Sequence, residues 1–314
     1  MFNFVDKRKY SILLSGLIIL AGIVAMIINQ GLNLDVQFRG GTQIEIEMEN
    51  GDFDADKAGT LATDAIGKKV HGQKSSTLDA NESNKSIYFL VLKSSGKLSD
   101  EERDTVLETI KGEFSVKEGG QMPVRDVDPS IGKELKNRGL LAVFVAAVML
   151  LIYVWIRFNI MSGLLAGLTA VIALVHDIAI MVSVYAIFNI PVNESFIAAV
   201  LTILGYSIND TIVIYDRIRE NSKISRKDTI DGLVNKSITQ SISRTINTTV
   251  TTVMCVLTIY LFAMYNGIGS IQEFTFPILI GLIAGTYSSI FIASPLWVVF
   301  RQREARKKAG AAKA

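Results

Sequence analysis

The sequence predicts an α-helical polytopic membrane protein of six transmembrane helices, with a small α+β ferredoxin-like external domain between helices 1 and 2. Three observations predict this class. Hydrophobic residues make up 49% of the 314 positions and charged residues only 20%, and the charges avoid several long windows. Residues 30–137 instead show the short alternating patterns of a folded domain. An aspartate, Asp210, lies inside one of the apolar windows.

Six windows are long enough to cross a bilayer, which needs about 20 apolar residues in a helix. They lie at about 11–28, 139–156, 160–188, 195–215, 242–264 and 274–300. The first window follows a basic cluster, as in a signal peptide. It is about 18 residues long, however, and no small-residue cleavage site follows it before Asn29. We therefore expect a retained anchor, and an even number of spans places both termini on one side.

Basic residues are distributed unevenly between the short loops. Sixteen Lys and Arg lie in residues 7–9, at 157, in 217–236 and in 301–313. The opposing loops, 189–193 and 265–273, contain none. Because cytoplasmic loops carry the excess of Lys and Arg, we expect both termini to be cytoplasmic in an inner or cell membrane. The net charge of +2 hides this separation and indicates no polyanionic partner such as a nucleic acid.

The spans and the orientation divide the chain into four expected parts. These are residues 1–29 (cytoplasmic N-terminus and helix 1), 30–137 (external domain with linkers), 138–300 (helices 2 to 6) and 301–314 (basic cytoplasmic tail).

The external part predicts the order β-α-β-β-α-β, which is the ferredoxin-like arrangement. Residues 42–49 and 86–93 have strand patterns, and Ser99 to Glu102 forms a capping box that opens a helix. The other expected elements are a helix over 54–66, a weaker strand over 68–77, a polar turn over 79–85 and a last strand within 114–127. His71 is isolated, which is typical of a surface residue. The domain shows no chemistry, and the ligand we expect is an extended or unfolded chain.

Cofactor chemistry is not indicated. The single cysteine, Cys255, lies in an apolar span, which excludes an internal disulfide and gives no support to a zinc cluster. We expect no cofactor, no metal and no enzymatic activity.

Two kinds of helix face stand out in the membrane part. Small residues recur at steps of three and four in the third and sixth spans, a pattern that allows close helix packing. They include Gly163, Gly167, Gly281 and Gly285. The fifth span instead carries a polar stripe, for which we expect a helix interface or a wet path because polar groups need partners in lipid. The stripe comprises Ser237, Gln240, Ser241, Arg244, Asn247, Thr248, Thr251, Thr252 and Cys255.

Asp210 is the first candidate for function, because a carboxylate in a membrane helix costs about 2.5 to 3.5 kcal/mol on insertion scales. Arg244 lies near the start of the next span, which runs the opposite way, so both can occupy similar depths. The guanidinium stays charged whereas the carboxyl group can bind a proton. Approach of Arg244 would favour the ionised carboxylate, and withdrawal would favour the protonated one. The pair is thus a candidate proton-coupled switch.

Other interpretations stay open for these residues. One is that Asp210 and Arg244 form a purely structural ion pair, and another is that Arg244 extends towards the cytoplasmic surface. His176 and Asp177 are consistent with either a buried packing pair or a proton relay. The coupling ion can be a proton or sodium, because Ser207, Asn209 and Thr248 offer oxygen ligands to either.

Several motifs together resemble SecF, of the SecD/SecF protein-export family in the resistance-nodulation-division superfamily. The resemblance covers nearly the whole chain and is strongest over 205–213 (Gly-Tyr-Ser-Ile-Asn-Asp-Thr-Ile-Val) with 216–221 (Asp-Arg-Ile-Arg-Glu-Asn). Residues 173–177, 240–245 and 280–290 add further matches.

The resemblance implies a role and partners. Asp210 and Arg244 fall on the family's proton-transport residues, and a further essential carboxylate would lie on the partner SecD. The chain would couple the proton motive force to late steps of preprotein export. Its other implied partners are the SecYEG translocon, YajC and the unfolded preprotein.

One motif departs from the family pattern. The family commonly has Gly-Ile-Asp-Phe-x-Gly-Gly after the first span, whereas Gln37 replaces the acid here and Asp35 supplies one two positions earlier. The paired Gly40 and Gly41 remain, and they suit a tight entry into the external domain.

Three rival functions were weighed. An intramembrane aspartyl protease would use Asp177 and Asp210, but its Gly-x-Gly-Asp motif is absent. Half of a small-molecule exporter of the same superfamily would need larger external domains. A scaffolding subunit without ion coupling predicts that Asp210→Asn leaves export intact.

Overall fold

The computed structural model describes residues 3–78, 86–224 and 229–311. The first half contains α1 (Arg8–Ile28), α2 (Val36–Arg39), β1 (Gly41–Met48), α3 (Ala55–Ile66), β2 (Val70–Leu78), β3 (Ser86–Ser94), α4 (Asp100–Glu113) and β4 (Val124–Val127). The second half contains α5 (Pro129–Arg157), α6 (Gly163–Ile187), α7 (Glu194–Ile224), α8 (Ile230–Tyr265), α9 (Gly269–Ser288) and α10 (Ser294–Ala311). A π-helical turn, Ser289–Ala293, joins α9 to α10.

Six of these helical segments are long and apolar enough to cross a membrane: α1, α5, α6, α7, α8 and the continuous segment Gly269–Arg306. The predicted fold class is confirmed. Two helices start well before their predicted spans. Helix α5 begins at Pro129, where Asp128 caps it by accepting a hydrogen bond from the Ser130 amide at 2.8 Å. A hydropathy window detects only the part of a helix that is apolar, so such polar first turns are missed.

The sheet confirms the ferredoxin-like arrangement. Its strand order is β2-β3-β1-β4, and every neighbouring pair is antiparallel. Strands β1 and β2 therefore run parallel with β3 between them, and β3 and β4 run parallel with β1 between them. These are the two interlocked βαβ units of that fold. The predicted turn over 79–85 lies outside the described residues.

Capping residues determine where the two helices of the domain begin and where α3 ends. Asp54 caps α3 by accepting from the amides of Asp56 and Lys57, both at 3.0 Å, and Gly67 ends it in the left-handed conformation. Ser99 and Glu102 form the predicted capping box of α4. The two helices cover one face of the sheet. The buried core there includes Ile44, Ile46, Leu90 and Leu92 of the strands with Ala58, Ala62, Val106 and Ile110 of the helices.

The linker glycines hold the domain close to α5. Gly40 and Gly41 have φ of +81° and +143°, and a Cβ on Gly41 would lie 2.1 Å from the Ser94 carbonyl oxygen. A Cβ on Gly40 would meet the backbone of Pro129 at 2.7 Å. Nearby, Asp35 caps α2 and pairs with Lys93 at 2.7 Å. The acid two positions before the family's usual place is therefore a buried ion-pair partner.

Helices α6, α7 and α9 form the centre of the bundle, and small residues let them approach. A Cβ on Gly281 would lie 2.4 Å from Ile203, and one on Gly285 would lie 2.8 Å from the Ser207 Cβ, both on α7. Gly163 and Gly167 of α6 instead lie against carbonyl oxygens of α5, where a Cβ would meet Trp155 at 2.2 Å and Leu151 at 3.0 Å. Close backbone approach supplies packing energy where lipid supplies no hydrophobic drive.

Candidate functional site

Asp210 lies inside the bundle on α7 and is 2% exposed. Within the described part of the chain, its carboxylate has one hydrogen-bond donor, the Thr286 hydroxyl of α9, at 3.4 Å. That hydroxyl also lies 3.0 Å from the Leu282 carbonyl and 2.6 Å from the Thr249 hydroxyl of α8. A hydroxyl carries one proton, so it cannot donate to all three oxygens. The carboxylate is thus buried with weak internal support.

Arg244 does not form the expected direct pair with Asp210. Its side chain is exposed, and over residues 3–78, 86–224 and 229–311 no ion pair within 4 Å includes it. The reason is the direction of its helix face: Ser241 and Thr245 are buried in the bundle, whereas Ser243 and Arg244 are exposed. Its role in ion coupling stays a prediction.

The polar stripe of α8 is only partly covered by the chain. Ser237 is buried beside Asn221 of α7, at 2.9 Å, and the Thr252 hydroxyl lies 3.4 Å from that of Tyr206. Thr248 is half-buried and donates to the Arg244 carbonyl at 2.9 Å. Further members are exposed, namely Gln240, Arg244, Asn247, Thr251 and Cys255. The expected helix interface is therefore found on one side of the stripe, and the other side is open.

Asp177 of α6 has a complete set of partners. It is fully buried, accepts from the Ser207 hydroxyl at 2.6 Å, and lies 3.1 Å from His176 Nδ1. The other ring nitrogen of His176 lies 2.8 Å from the Ser15 hydroxyl of α1. If Nδ1–H donates to the carboxylate, Nε2 accepts from Ser15, so each polar atom is satisfied. The network ties α1, α6 and α7 together.

A third group of polar contacts surrounds the π-helical turn. The Ser289 hydroxyl lies 2.8 Å from that of Thr211 and 3.2 Å from the Ser207 carbonyl, to which it donates. Single π-helical turns occur frequently at functional sites. This turn places Ser289 beside the segment of α7 that joins Ser207 to Asp210. Asn209, in contrast, is exposed and lies away from both carboxylates.

Sequence reasoning missed several members of these networks. Ser15, Tyr206, Thr249, Thr286 and Ser289 contact the candidate residues, but they read as helix-packing or hydroxyl positions in apolar spans. Threonines and serines satisfy themselves on their own helix carbonyls, so their type alone does not identify a site. Within the described ranges, no group of three His, Cys, Asp or Glu could hold a metal ion.

These features define a polytopic membrane protein with ionisable groups buried inside its helix bundle. The family model "Protein export membrane protein SecD/SecF, C-terminal" matches residues 109–303. The chain is 35% identical over 309 residues to the protein translocase subunit SecF of Alicyclobacillus acidocaldarius, covering 98% of this chain and 95% of that one. It therefore belongs to the SecD/SecF family of protein-export membrane proteins, as its motifs predicted.

Larger relatives contain a similar region. The SecDF subunit of Bacillus subtilis is 34% identical over 313 residues, which are 98% of this chain and 39% of that protein. The crystal structure of SecDF, a translocon-associated membrane protein from Thermus thermophilus, superposes with a TM-score of 0.75 at 30% identity, covering 96% of this chain and 39% of that one. The chain thus spans about two fifths of these SecDF proteins.

Proposed function

We propose that this chain is a SecF-like subunit of the Sec protein translocation machinery and couples an ion gradient, the proton motive force, to late steps of preprotein export. The observation that carries the proposal is Asp210, a buried carboxylate with one weak hydrogen bond, beside a helix whose polar face the chain leaves open. Intramembrane carboxylates of this kind mark ion pathways. Both termini are cytoplasmic in this proposal, and the sheet domain is external.

The open face of α8 supports SecD as the partner that completes the site. Arg244 and Asn247 would cost free energy against acyl chains, because lipid offers no hydrogen bonds. A neighbouring membrane helix removes that cost. In relatives such as those of Bacillus subtilis and Brucella abortus, the similar region is part of one longer SecDF polypeptide. A SecD helix seated on α8 would enclose Arg244 between the two subunits.

The proposed cycle uses two arrangements of Asp210. With the carboxyl group protonated, it is neutral and Thr286 is a sufficient partner. After the proton leaves, the charged carboxylate attracts Arg244, which must turn inward from the open face of α8. A proton that crosses about 100 mV supplies roughly 2.3 kcal/mol, which biases a two-state bundle by nearly fiftyfold.

Helix α9 offers a route from this site to the sheet domain. Thr286 and Glu273 lie on it about 20 Å apart, at 1.5 Å of rise per residue. Glu273 accepts from Gln73 of β2 at 3.1 Å and lies 3.8 Å from Lys93 of β3. A shift of α9 at Thr286 would therefore move contacts at the base of the domain. The domain in turn would act on the preprotein that emerges from SecYEG, with YajC as an accessory partner.

Export in inverted vesicles with an imposed ion gradient tests the proposal. We expect Asp210→Asn to lose the gradient-dependent part of export while SecD still co-purifies. Glu220→Gln is the matched control, because Glu220 is an exposed acid on the same helix and pairs with the exposed Arg217. Separate proton and sodium gradients identify the ion. Unchanged export in Asp210→Asn would instead make the chain a scaffold.

A further inference from the structure

A cavity of about 810 Å³ lies between the sheet domain and the adjoining end of the helix bundle. Its volume is typical of ligand sites in proteins. Residues of the domain and linker, including Arg39, Lys69 and His71, form one part of its wall. Ile28, Tyr260 and Phe276, from the ends of α1, α8 and α9, contribute an apolar part. The cavity is therefore amphipathic.

The two carboxylates of the cavity already have partners and share one ammonium group. Asp35 pairs with Lys93 at 2.7 Å, and Glu273 lies 3.8 Å from the same ammonium group. Glu273 also accepts from Gln73 at 3.1 Å and from Asn193 at 2.5 Å. These carboxylates hold the domain to the bundle and offer little to a cation from outside.

Two asparagine side chains of the cavity are also in use. Asn29 donates to the Ala186 carbonyl at 3.1 Å, and Asn33 donates to the Asn189 carbonyl at 3.0 Å. An extended peptide would need such amides for its backbone. Their engagement argues against a polypeptide as the occupant.

Two cations remain available. Arg39 and Lys69 are both exposed, and neither has a carboxylate partner among the ion pairs of the residues that the structure describes. Arg39 uses one donor on the Leu32 carbonyl at 3.1 Å, which leaves most of its guanidinium free. Guanidinium and ammonium groups are the side chains that bind phosphate oxygens.

The pKa of His71 responds to the charged groups around the cavity. Burial lowers its pKa first, and the charges of Lys69 and Arg39 lower it further, against the smaller opposing effects of Asp56 and Asp35. The lining residues agree, since Arg39, Lys69 and Lys93 outnumber Asp35 and Glu273.

The cavity also lies at the end of a helix long and apolar enough to cross a membrane. Ile28 is the last residue of the membrane helix α1 and is 74% exposed, and the preceding Ile27 is 73% exposed. The apolar outer face of α1 thus leads directly to the rim of the cavity. A ligand with a charged head and a hydrocarbon chain would satisfy both parts.

We propose that this cavity binds an anionic phospholipid, with its phosphate between Arg39 and Lys69 and its acyl chains along α1 at Ile27 and Ile28. Neutral headgroups lack the net negative charge that these cations select. The bound lipid would lie between the domain and the bundle and would stabilise their contact. This inference does not depend on the proposed ion coupling.

Native mass spectrometry of the purified full-length chain in detergent tests the proposal, with dioleoyl phosphatidylglycerol and dioleoyl phosphatidylcholine as matched probes. We expect the phosphatidylglycerol to bind at least tenfold more tightly. The double variant Arg39→Gln with Lys69→Gln should lose about twenty-fivefold of that affinity, because each basic residue near a charged lipid surface contributes about 1 kcal/mol, or a factor of about five. Lys69→Arg should keep the binding.

A matched control is the double variant Lys111→Gln with Arg125→Gln, which removes the same charge from exposed positions of the domain away from the cavity. It should bind as wild type does. Equal binding of the two lipids, or equal losses in the two double variants, would overturn the proposal. Displacement of the lipid by glycerol phosphate at the same concentration would also overturn it, since the site would then recognise a free phosphate group. So would tighter binding of a soluble acidic peptide.

Discussion

Ser207 and Asp210 lie one turn apart on α7, yet they belong to two regions that differ in how fully their polar groups are hydrogen-bonded within the chain. Ser207 donates to Asp177, whose other oxygen lies beside His176, and the ring of His176 contacts Ser15. These four residues are buried and belong to this chain. Among the described residues, Asp210 has one donor, the distant Thr286 hydroxyl, and Arg244, its expected partner, is exposed.

Helices α7 and α8 differ in the same way, in how much of each is buried inside the chain. Half of the most apolar window of α7 is buried inside the chain, against 11% of that of α8. Exposed apolar residues of α8 suit lipid, but its open polar stripe does not. The Asp177 network is thus complete within this chain, whereas the Asp210 region is where we propose a site shared with another subunit.

The largest effect should come from Arg244. In Arg244→Ala the ionised form of Asp210 loses the cation that the proposed cycle pairs with it, so a proton can no longer exchange the two arrangements. We expect the gradient-dependent part of export to fall by roughly tenfold or more. The neighbouring exposed Ser243→Ala is the control and should export normally. Full gradient dependence in Arg244→Ala would show that the outward arginine is only a surface residue.

The next effect concerns the complete network. Asp177→Ala leaves Ser207 and His176 without their acceptor, at a cost of about 1 to 3 kcal/mol for each buried group. Thermal unfolding in detergent should therefore occur several degrees lower. Gradient-dependent export per folded molecule should persist. If the variant instead unfolds at the normal temperature but loses gradient dependence, Asp177 and His176 belong to the ion path. The two regions would then not differ in function.

Packing between α7 and α9 sets a third expectation. A Cβ on Gly285 would meet Ser207 at 2.8 Å, so Gly285→Ala should destabilise the bundle by about 1 to 3 kcal/mol. Gly205→Ala is the matched control, because nothing lies within 4 Å of its Cβ position. Thermal unfolding of the two variants side by side is the measurement. Equal unfolding temperatures would mean that α9 can move away from Ser207 without cost.

The smallest effect should come from Thr286. Replacing it with valine removes the one donor to Asp210 and keeps the shape, so stability should change by about 0.5 to 1.5 kcal/mol. The size of the ion gradient needed for export should change, but export should still depend on the gradient. Complete loss would place Thr286 among the ion-coupling groups themselves.

The sequence predicted the elements better than the contacts between them. Strand alternation, the Asp54 cap and the Ser99–Glu102 capping box are local signals, and each element that they predicted is present. The polar starts of α5 and α8 were missed because hydropathy measures apolar length and not helix length. Depth along two antiparallel helices suggested the Asp210 and Arg244 pair, but depth does not fix the rotation of α8 about its axis. The partners Ser15, Thr286 and Ser289 come from other helices and depend on tertiary packing.

The most direct test of this account uses the natural cysteine. Cys255 is the one cysteine of the sequence, and it is exposed on the open stripe of α8. Its labelling by a membrane-permeant maleimide should be compared between the purified chain and its complex with SecD, with Cys255→Ala as the blank. The account predicts rapid labelling of the chain alone and at least tenfold slower labelling in the complex. Equal labelling rates for the chain alone and for a complex in which SecD is bound would show that SecD does not cover α8. That result would contradict a shared site at Asp210.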